Sequence, residues 1–281
     1  MGSNSPITIN LDNGVSCRLY KDTRPHYLET SPLQKGIVLL VEGSEVIEEG
    51  MGFGAPVVLY QDRAFFSSSA DFSIQQKGNH KILIKSFTID TISRKRLGKG
   101  IYLNHRLYNF GQKRFHNIYT QNNNLAPILT RFIELLEKFG INTEFQKANP
   151  RGIITVKYTC LPNLIEVEIL LSKLNKKGCK EVLILNEQGA SFFRKYCDTD
   201  GLTLFDGQIG AWESTKAEEV SLFNIKGATG FSLRNKGGAV LIRGREKIPG
   251  RYSWVGFCYS LRPNISRFRY SIGLKTTVMR D

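Results

Sequence analysis

The sequence predicts a mainly β protein, a large antiparallel β-sandwich with one central amphipathic α-helix. Three observations carry this. Short runs rich in Val, Ile, Phe, Tyr and Thr recur along the chain, each closed by Gly, Asn, Asp or Pro. From Arg267 to Lys275, Phe268, Tyr270, Ile272 and Leu274 alternate without error against Arg267, Arg269, Ser271, Gly273 and Lys275, the period of a half-buried strand with a basic outer face. One stretch alone shows helical spacing. So many short strands at close intervals point to a sandwich or barrel.

The expected strands run Ser16 to Tyr20, Gly36 to Glu42, Ala55 to Tyr60, Ala64 to Ser68, Lys81 to Ile89 and Ile101 to His105. They continue with Ile153 to Cys160, Leu164 to Leu170, Glu181 to Leu185, Val220 to Asn224, Thr229 to Arg234, Ala239 to Arg243 and Tyr252 to Ser260. The helix is expected over Ile128 to Phe139. There Ile128, Leu129, Phe132, Ile133, Leu135, Leu136 and Phe139 share a broad face, Pro127 suits the first turn and Gly140 the C-terminal cap. Two readings of this helix, near 127–139, stand open: it divides two β halves, 1–120 and 141–281, or it covers one end of a single domain over 1–281. The second is preferred, because no Pro-, Gly- or Ser-rich linker marks a boundary.

Composition narrows the class. With 41% hydrophobic and 23% charged residues over 281 positions, the chain can fill a core and resembles ordinary globular proteins. No apolar run approaches the roughly 20 residues that span a bilayer, so no membrane partner is expected. The N-terminus lacks the basic start and apolar core of a secretory signal, which places the protein in the cytoplasm. Five widely spaced cysteines with no C-x-x-C pair suggest reduced thiols rather than a disulfide framework or zinc site. No motif asks for a cofactor. Oligomeric state leaves no mark in the sequence.

Charge is the most uneven property. The net charge of +14 sits almost wholly in two blocks: residues 81–120 hold nine Lys and Arg against one acid, and residues 230–281 hold eleven against two. If the fold brings the blocks together, they form an anion-attracting surface. Within the first block, Arg94 to Gly100 reads as a hairpin tip, either a solvated basic turn or a backbone clamp for phosphate. In the second, Leu241, Arg243 and Arg245 share one strand face, with the two guanidinium groups about 7 Å apart. That spacing suits two oxygens of one phosphate. It equally suits pairing with Glu187, Glu213 or Glu246 to fix loops.

For acid and base chemistry the candidates are His105 and His116, with Glu187 at the end of an apolar strand and Glu213 beside Trp212. Asp198-Thr199-Asp200-Gly201 resembles a fragment of a calcium loop but lacks its distal Glu, and is read as a turn. In size, strand density and arginine-rich late strands, the chain resembles β-supersandwich proteins of the galactose-mutarotase type, which act on sugars. The resemblance is architectural, because that family's His-rich catalytic signature is not found here, and it assigns no residue.

The leading expectation is a protein that binds an anionic saccharide or sugar phosphate. Arg243, Arg245 and Arg269 would hold the anion, and Trp254 or Tyr259 would stack on the ring. If it is an enzyme, His105 or His116 with Glu187 or Glu213 would move a proton at a sugar carbon. The rival expectations are a nucleic-acid-binding module that sets both basic blocks on phosphates, and a structural protein whose basic face meets an acidic partner.

Overall fold

The computed structural model describes residues 6–11, 14–21, 32–61, 63–77, 80–97, 101–102, 141–210, 212–248 and 252–276. Strands β1 (Ile7–Asn10), β2 (Val15–Leu19), β3 (Val38–Val41) and β4 (Ser44–Glu45) form a small antiparallel sheet in that order. The large sheet is built from β5 (Gly52–Tyr60), β6 (Arg63–Lys77), β7 (His80–Leu97), β8 (Ile101–Tyr102), β9 (Ile141–Lys147), β10 (Ile153–Leu161) and β11 (Leu164–Leu170). It continues with β12 (Cys179–Gln188), β13 (Phe193–Asp198), β14 (Thr203–Phe205), β15 (Glu213–Thr215), β16 (Glu219–Asn224), β17 (Thr229–Arg234), β18 (Ala239–Ile248), β19 (Tyr252–Leu261) and β20 (Arg267–Thr276). Its main path runs β14-β13-β16-β17-β20-β11-β10-β7-β6-β5-β12-β19-β18-β15, with β8 and β9 attached to β7.

The two arms of this path face each other as a sandwich, because alternation gives each strand one apolar side that must be covered. On β20, Phe268, Tyr270, Ile272 and Leu274 are buried while Arg267, Arg269 and Lys275 are exposed, as the sequence pattern predicts. On β10 and β11 the inward residues are Ile154, Val156, Tyr158 and Cys160, then Ile165, Val167 and Ile169. Phe231 of β17 meets Phe53 of β5 and Phe257 of β19 edge-on, with ring centroids 5.0 and 5.7 Å apart. Each such aromatic contributes about 2–3 kcal/mol by leaving water.

Polar ties cross the same interior. The Tyr158 hydroxyl donates to the Phe53 carbonyl (2.8 Å), that of Tyr270 to Asn186 Oδ1 (2.7 Å), and that of Tyr259 to the Arg234 carbonyl (2.5 Å). A buried hydroxyl without a partner costs more than the bond returns, so these pairings fix how the layers sit. The small sheet packs on the same core: Cys17 hydrogen-bonds Cys160, and burial pushes its thiol pKa up. Gln188 of β12 accepts from Leu39 N and donates to the Ile37 carbonyl, standing in for a strand neighbour.

The free ends of the path, β14 and β15, are consecutive in the chain. A 3-10 turn, Asp206–Ile209, leads from one arm to the other and closes that edge of the sandwich. Arg94 to Leu97 belong to β7, paired with β9 from Ile141 to Lys147, so the expected hairpin tip begins later than the sequence suggests. Asp198 to Gly201 is a turn as expected: Asp198 Oδ1 accepts from Asp200 N and Leu202 N, with no metal invoked. The helix expected over Ile128 to Phe139 lies outside the described residues.

Candidate functional site

Folding pairs the charge that is segregated along the chain. Six of the second block's nine described cations meet acids from the neutral middle of the sequence. Arg243 meets Glu213 (2.5 Å), Arg245 meets Asp206 (3.1 Å), and Arg234 and Lys275 share Glu219 (3.0 and 2.9 Å). Arg267 and Arg269 share Glu168, which also lies 3.7 Å from Lys157. Lys85 of the first block is buried inside the core, where its ammonium donates to the Tyr20 and Lys35 carbonyls (2.9 and 2.8 Å).

Arg243 and Arg245 do share a face with buried Leu241, as predicted. It is the inward face, at the closing edge. Arg243 also donates to the Ile209 carbonyl and lies 5.1 Å above the Tyr196 ring, while Arg194 grips Asp206 through two bonds of 2.9 and 2.8 Å. Together they hold the 3-10 turn, and the bond from Arg194, with the charge of Arg245, depresses the Asp206 pKa. Of the two roles open to these arginines, the geometry supports the fixing of loops. The carboxylate on Arg245 is Asp206, rather than Glu187, Glu213 or Glu246.

The other expected residues separate. Tyr259 has no exposed surface and packs on Phe268 and Tyr270, so its ring offers no face to a ligand. Arg269 lies on the outer surface of the opposite arm, with Glu168. His105 and His116 lie outside the described residues. Glu187 and Trp254 lie on neighbouring strands, β12 and β19, at outward positions, whereas Glu213 pairs with Arg243 on the inward side of the closing edge.

Here the structure adds two residues, Lys35 and Trp212. Lys35, just before β3, is 3% exposed and donates to the Gly50 and Glu48 carbonyls (2.5 and 3.4 Å). Glu187, 5% exposed, accepts from Met51 N at 2.9 Å. Both ends of the 48–51 loop thus rest on buried charged groups. Burial lowers the Lys35 pKa to about 7, against the attraction of Glu187, Glu49 and Glu45. Burial raises the Glu187 pKa to about 7, against the Met51 bond and Lys35. The two shifts run in opposite directions from one cause, burial, with each group attracted by the other's charge.

The loop leads to a tryptophan platform, since Glu49 N donates to the Ser253 carbonyl at 3.2 Å. The neighbouring Trp254 donates through Nε1 to Glu246 Oε2 (3.1 Å) and stacks on Trp212, centroids 4.7 Å apart and planes inclined by 25°. Trp212 is 39% exposed and holds a φ of 52°, which costs a bulky residue about 1–3 kcal/mol. Its ring lies over Gly244: a Cβ there would stand 3.1 Å from both indoles, so the glycine leaves room for the stack.

No protein-family model matches the chain, and neither does any curated protein. Among solved structures it is similar to an alpha-N-acetylgalactosaminidase from Bifidobacterium bifidum in complex with GalNAc, at 10% identity and TM-score 0.49, over 96% of this chain and 36% of that one. It is also similar to a glycoside hydrolase family 97 enzyme from Pseudoalteromonas sp. strain K8, at 8% identity and TM-score 0.43, over 95% of this chain and 35% of that one. A protein from Synechocystis sp. PCC 6803 aligns over 99% of both chains at 8% identity and TM-score 0.41. The chain therefore spans about a third of the length of the first two proteins. The likeness assigns neither activity nor ligand.

Proposed function

We propose that the protein binds a saccharide on the Trp212–Trp254 stack, with the carboxylates beside it accepting the sugar hydroxyls. The observation that carries this reading is Trp212: a large aromatic face left exposed, held in an unfavourable backbone conformation and stacked on a second indole whose N–H fixes Glu246. Strain kept at a surface aromatic needs a return elsewhere, and ligand contact supplies one. A pyranose offers polarised C–H groups to a π face and hydroxyls to its edge, which suits indole flanked by carboxylates.

The arginines expected to hold an anion are engaged by Asp206 and Glu213, and the charged groups around the loop and the stack are three acids, Glu49, Glu187 and Glu246, against one buried cation, Lys35. This surrounding favours a neutral saccharide over an anionic one. In the enzymatic form of the reading, Glu187 is the proton donor and Lys35 sets its protonation, with the reaction at a sugar carbon.

The only two tryptophans of the chain form this stack, so intrinsic fluorescence reports on it directly. Titration with neutral mono- and oligosaccharides is expected to shift the emission, with a uronic acid and a sugar phosphate weaker, and Trp212→Ala is expected to abolish binding while shifting stability by less than about 1 kcal/mol. Emission unmoved by every sugar, or sugar affinity unchanged in Trp212→Ala, removes the reading. Anomeric exchange followed by proton NMR tests the enzymatic form, which fails if wild-type protein leaves the exchange rate unchanged.

A further inference from the structure

The opposite arm carries a second surface of different chemistry. Residues paired across its outward positions are Phe205 and Lys195, Lys195 and Phe223, Phe223 and Gly230, then Gly230 and Lys275. They form one row across five neighbouring strands, β14-β13-β16-β17-β20, about 19 Å wide at a strand spacing of about 4.8 Å. Aromatic and cation alternate along it. Lys195 Nζ lies 5.9 Å from the Phe205 ring centre and Lys275 Nζ 5.8 Å from that of Phe223. Phe205 is 42% exposed, and the Phe223 ring lies flat over Gly230, where a Cβ would stand 2.4 Å from it.

The next row is small and polar: Thr203, Cys197, Ser221, Ser232 and Gly273 follow one another in register. It makes a shallow floor beside the aromatic rim. Across the described outward positions of β10, β11, β13, β16, β17 and β20 there are six lysines and arginines against three glutamates. The face stays cationic after every ion pair has been counted.

We propose that this face binds single-stranded nucleic acid. Bases stack on exposed Phe205, with Phe223 continuing the apolar rim, while Lys195 and Lys275 meet the phosphates. A sheet with exposed aromatics set between cations supplies the two terms that unpaired strands offer, a π face on every base and a charge on every phosphate. A duplex hides its base faces and leaves the aromatics unused. This surface is separate from the tryptophan stack, so the inference does not rest on saccharide binding.

The test uses the full chain and a fluorescein-labelled 20-nucleotide oligothymidylate, with a 20-base-pair duplex, heparin and a neutral soluble glucan as competitors. Oligothymidylate is expected to bind with log K falling about 0.7 per phosphate contacted as log salt rises, two or three phosphates in all. Phe205→Ala is expected to weaken it by about 5- to 100-fold, and Lys195→Glu to weaken it and flatten the salt dependence. Tryptophan emission should stay unchanged on binding. Because Phe223 covers Gly230 and its removal risks the fold, exposed Phe205 decides. Unchanged affinity in Phe205→Ala overturns the proposal, as does duplex or heparin competing as well as unlabelled oligothymidylate. Binding of the glucan in place of oligothymidylate overturns it too.

Discussion

The two outward faces of this sandwich share one core and differ in almost everything else. Around β18 and β19, the surface is an indole stack among carboxylates, underlain by buried Lys35 and Glu187. Around β16, β17 and β20 it is phenylalanine and lysine in one row, with exposed ion pairs. The difference teaches that the second basic block is split between the two arms: Arg234, Arg267, Arg269 and Lys275 lie on the cationic face. Arg243 and Arg245 belong to the second block, yet their guanidinium groups turn inward to tie down the closing turn, while Lys195 and Lys157, from the electrically neutral middle, lie on the cationic arm.

Substituting what the faces share should break them together. Asn186 is buried, and its side chain accepts from Gly54 N and the Tyr270 hydroxyl and donates to the Ile184 carbonyl. Asn186→Ala is expected to cost about 2–4 kcal/mol in chemical denaturation, by leaving buried partners unsatisfied. Saccharide and oligothymidylate binding should fall together with the folded fraction. Loss of one alone would show that the faces do not depend on a common core.

A smaller effect distinguishes them by pH. The ordinary Glu187 pKa of 4.5 is raised to about 7, so the stability this carboxyl contributes is complete below the unfolded value and is lost as pH rises through about 7. Lys35, lowered from 10.5 to about 7, has the opposite sign: its contribution is complete above the unfolded value and is lost as pH falls through about 7. Glu187→Gln removes the first loss and deprives Lys35 of its strongest attracting charge. Relative to wild type, the variant should therefore gain stability as pH rises from about 4.5 to 7.5, by on the order of 2 kcal/mol. Parallel denaturation profiles across that range would show that Glu187 titrates as an ordinary carboxylate. Among the described residues of the cationic face there is no such buried pair, and oligothymidylate affinity in the variant should follow wild type.

The smallest effect belongs to the outer ion pairs. Arg269 is 64% exposed against Glu168, which keeps Arg267 and Lys157 as partners. Arg269→Ala should shift stability by less than about 0.5 kcal/mol, since exposed pairs gain little over water. A larger loss in a thermal melt would mean that the outer network is stronger than its exposure implies.

What could be read from the sequence was whatever alternates locally. The inward side of β20 and the shared face of Leu241, Arg243 and Arg245 follow from a period of two, and they appear where the pattern puts them. The turn at Asp198 follows from Asx chemistry. Lys35 carries no such signal: a single lysine between Gln34 and Gly36 looks like any solvated residue until the 48–51 loop and Glu187 close over it. In the sequence Trp212 stands out only as the neighbour of Glu213, because its role depends on Trp254, 42 positions away.

By itself, then, the chain determined its class, the direction in which most strand residues face, and a surplus of positive charge. Those properties are set by neighbours two residues apart and by composition. The tertiary structure alone decided which acid meets which arginine, which tryptophans stack, and that Phe205, Lys195, Phe223, Gly230 and Lys275 stand in one row. Register between distant strands is fixed by burial of the whole inner face, a collective free energy that no local stretch of residues contains.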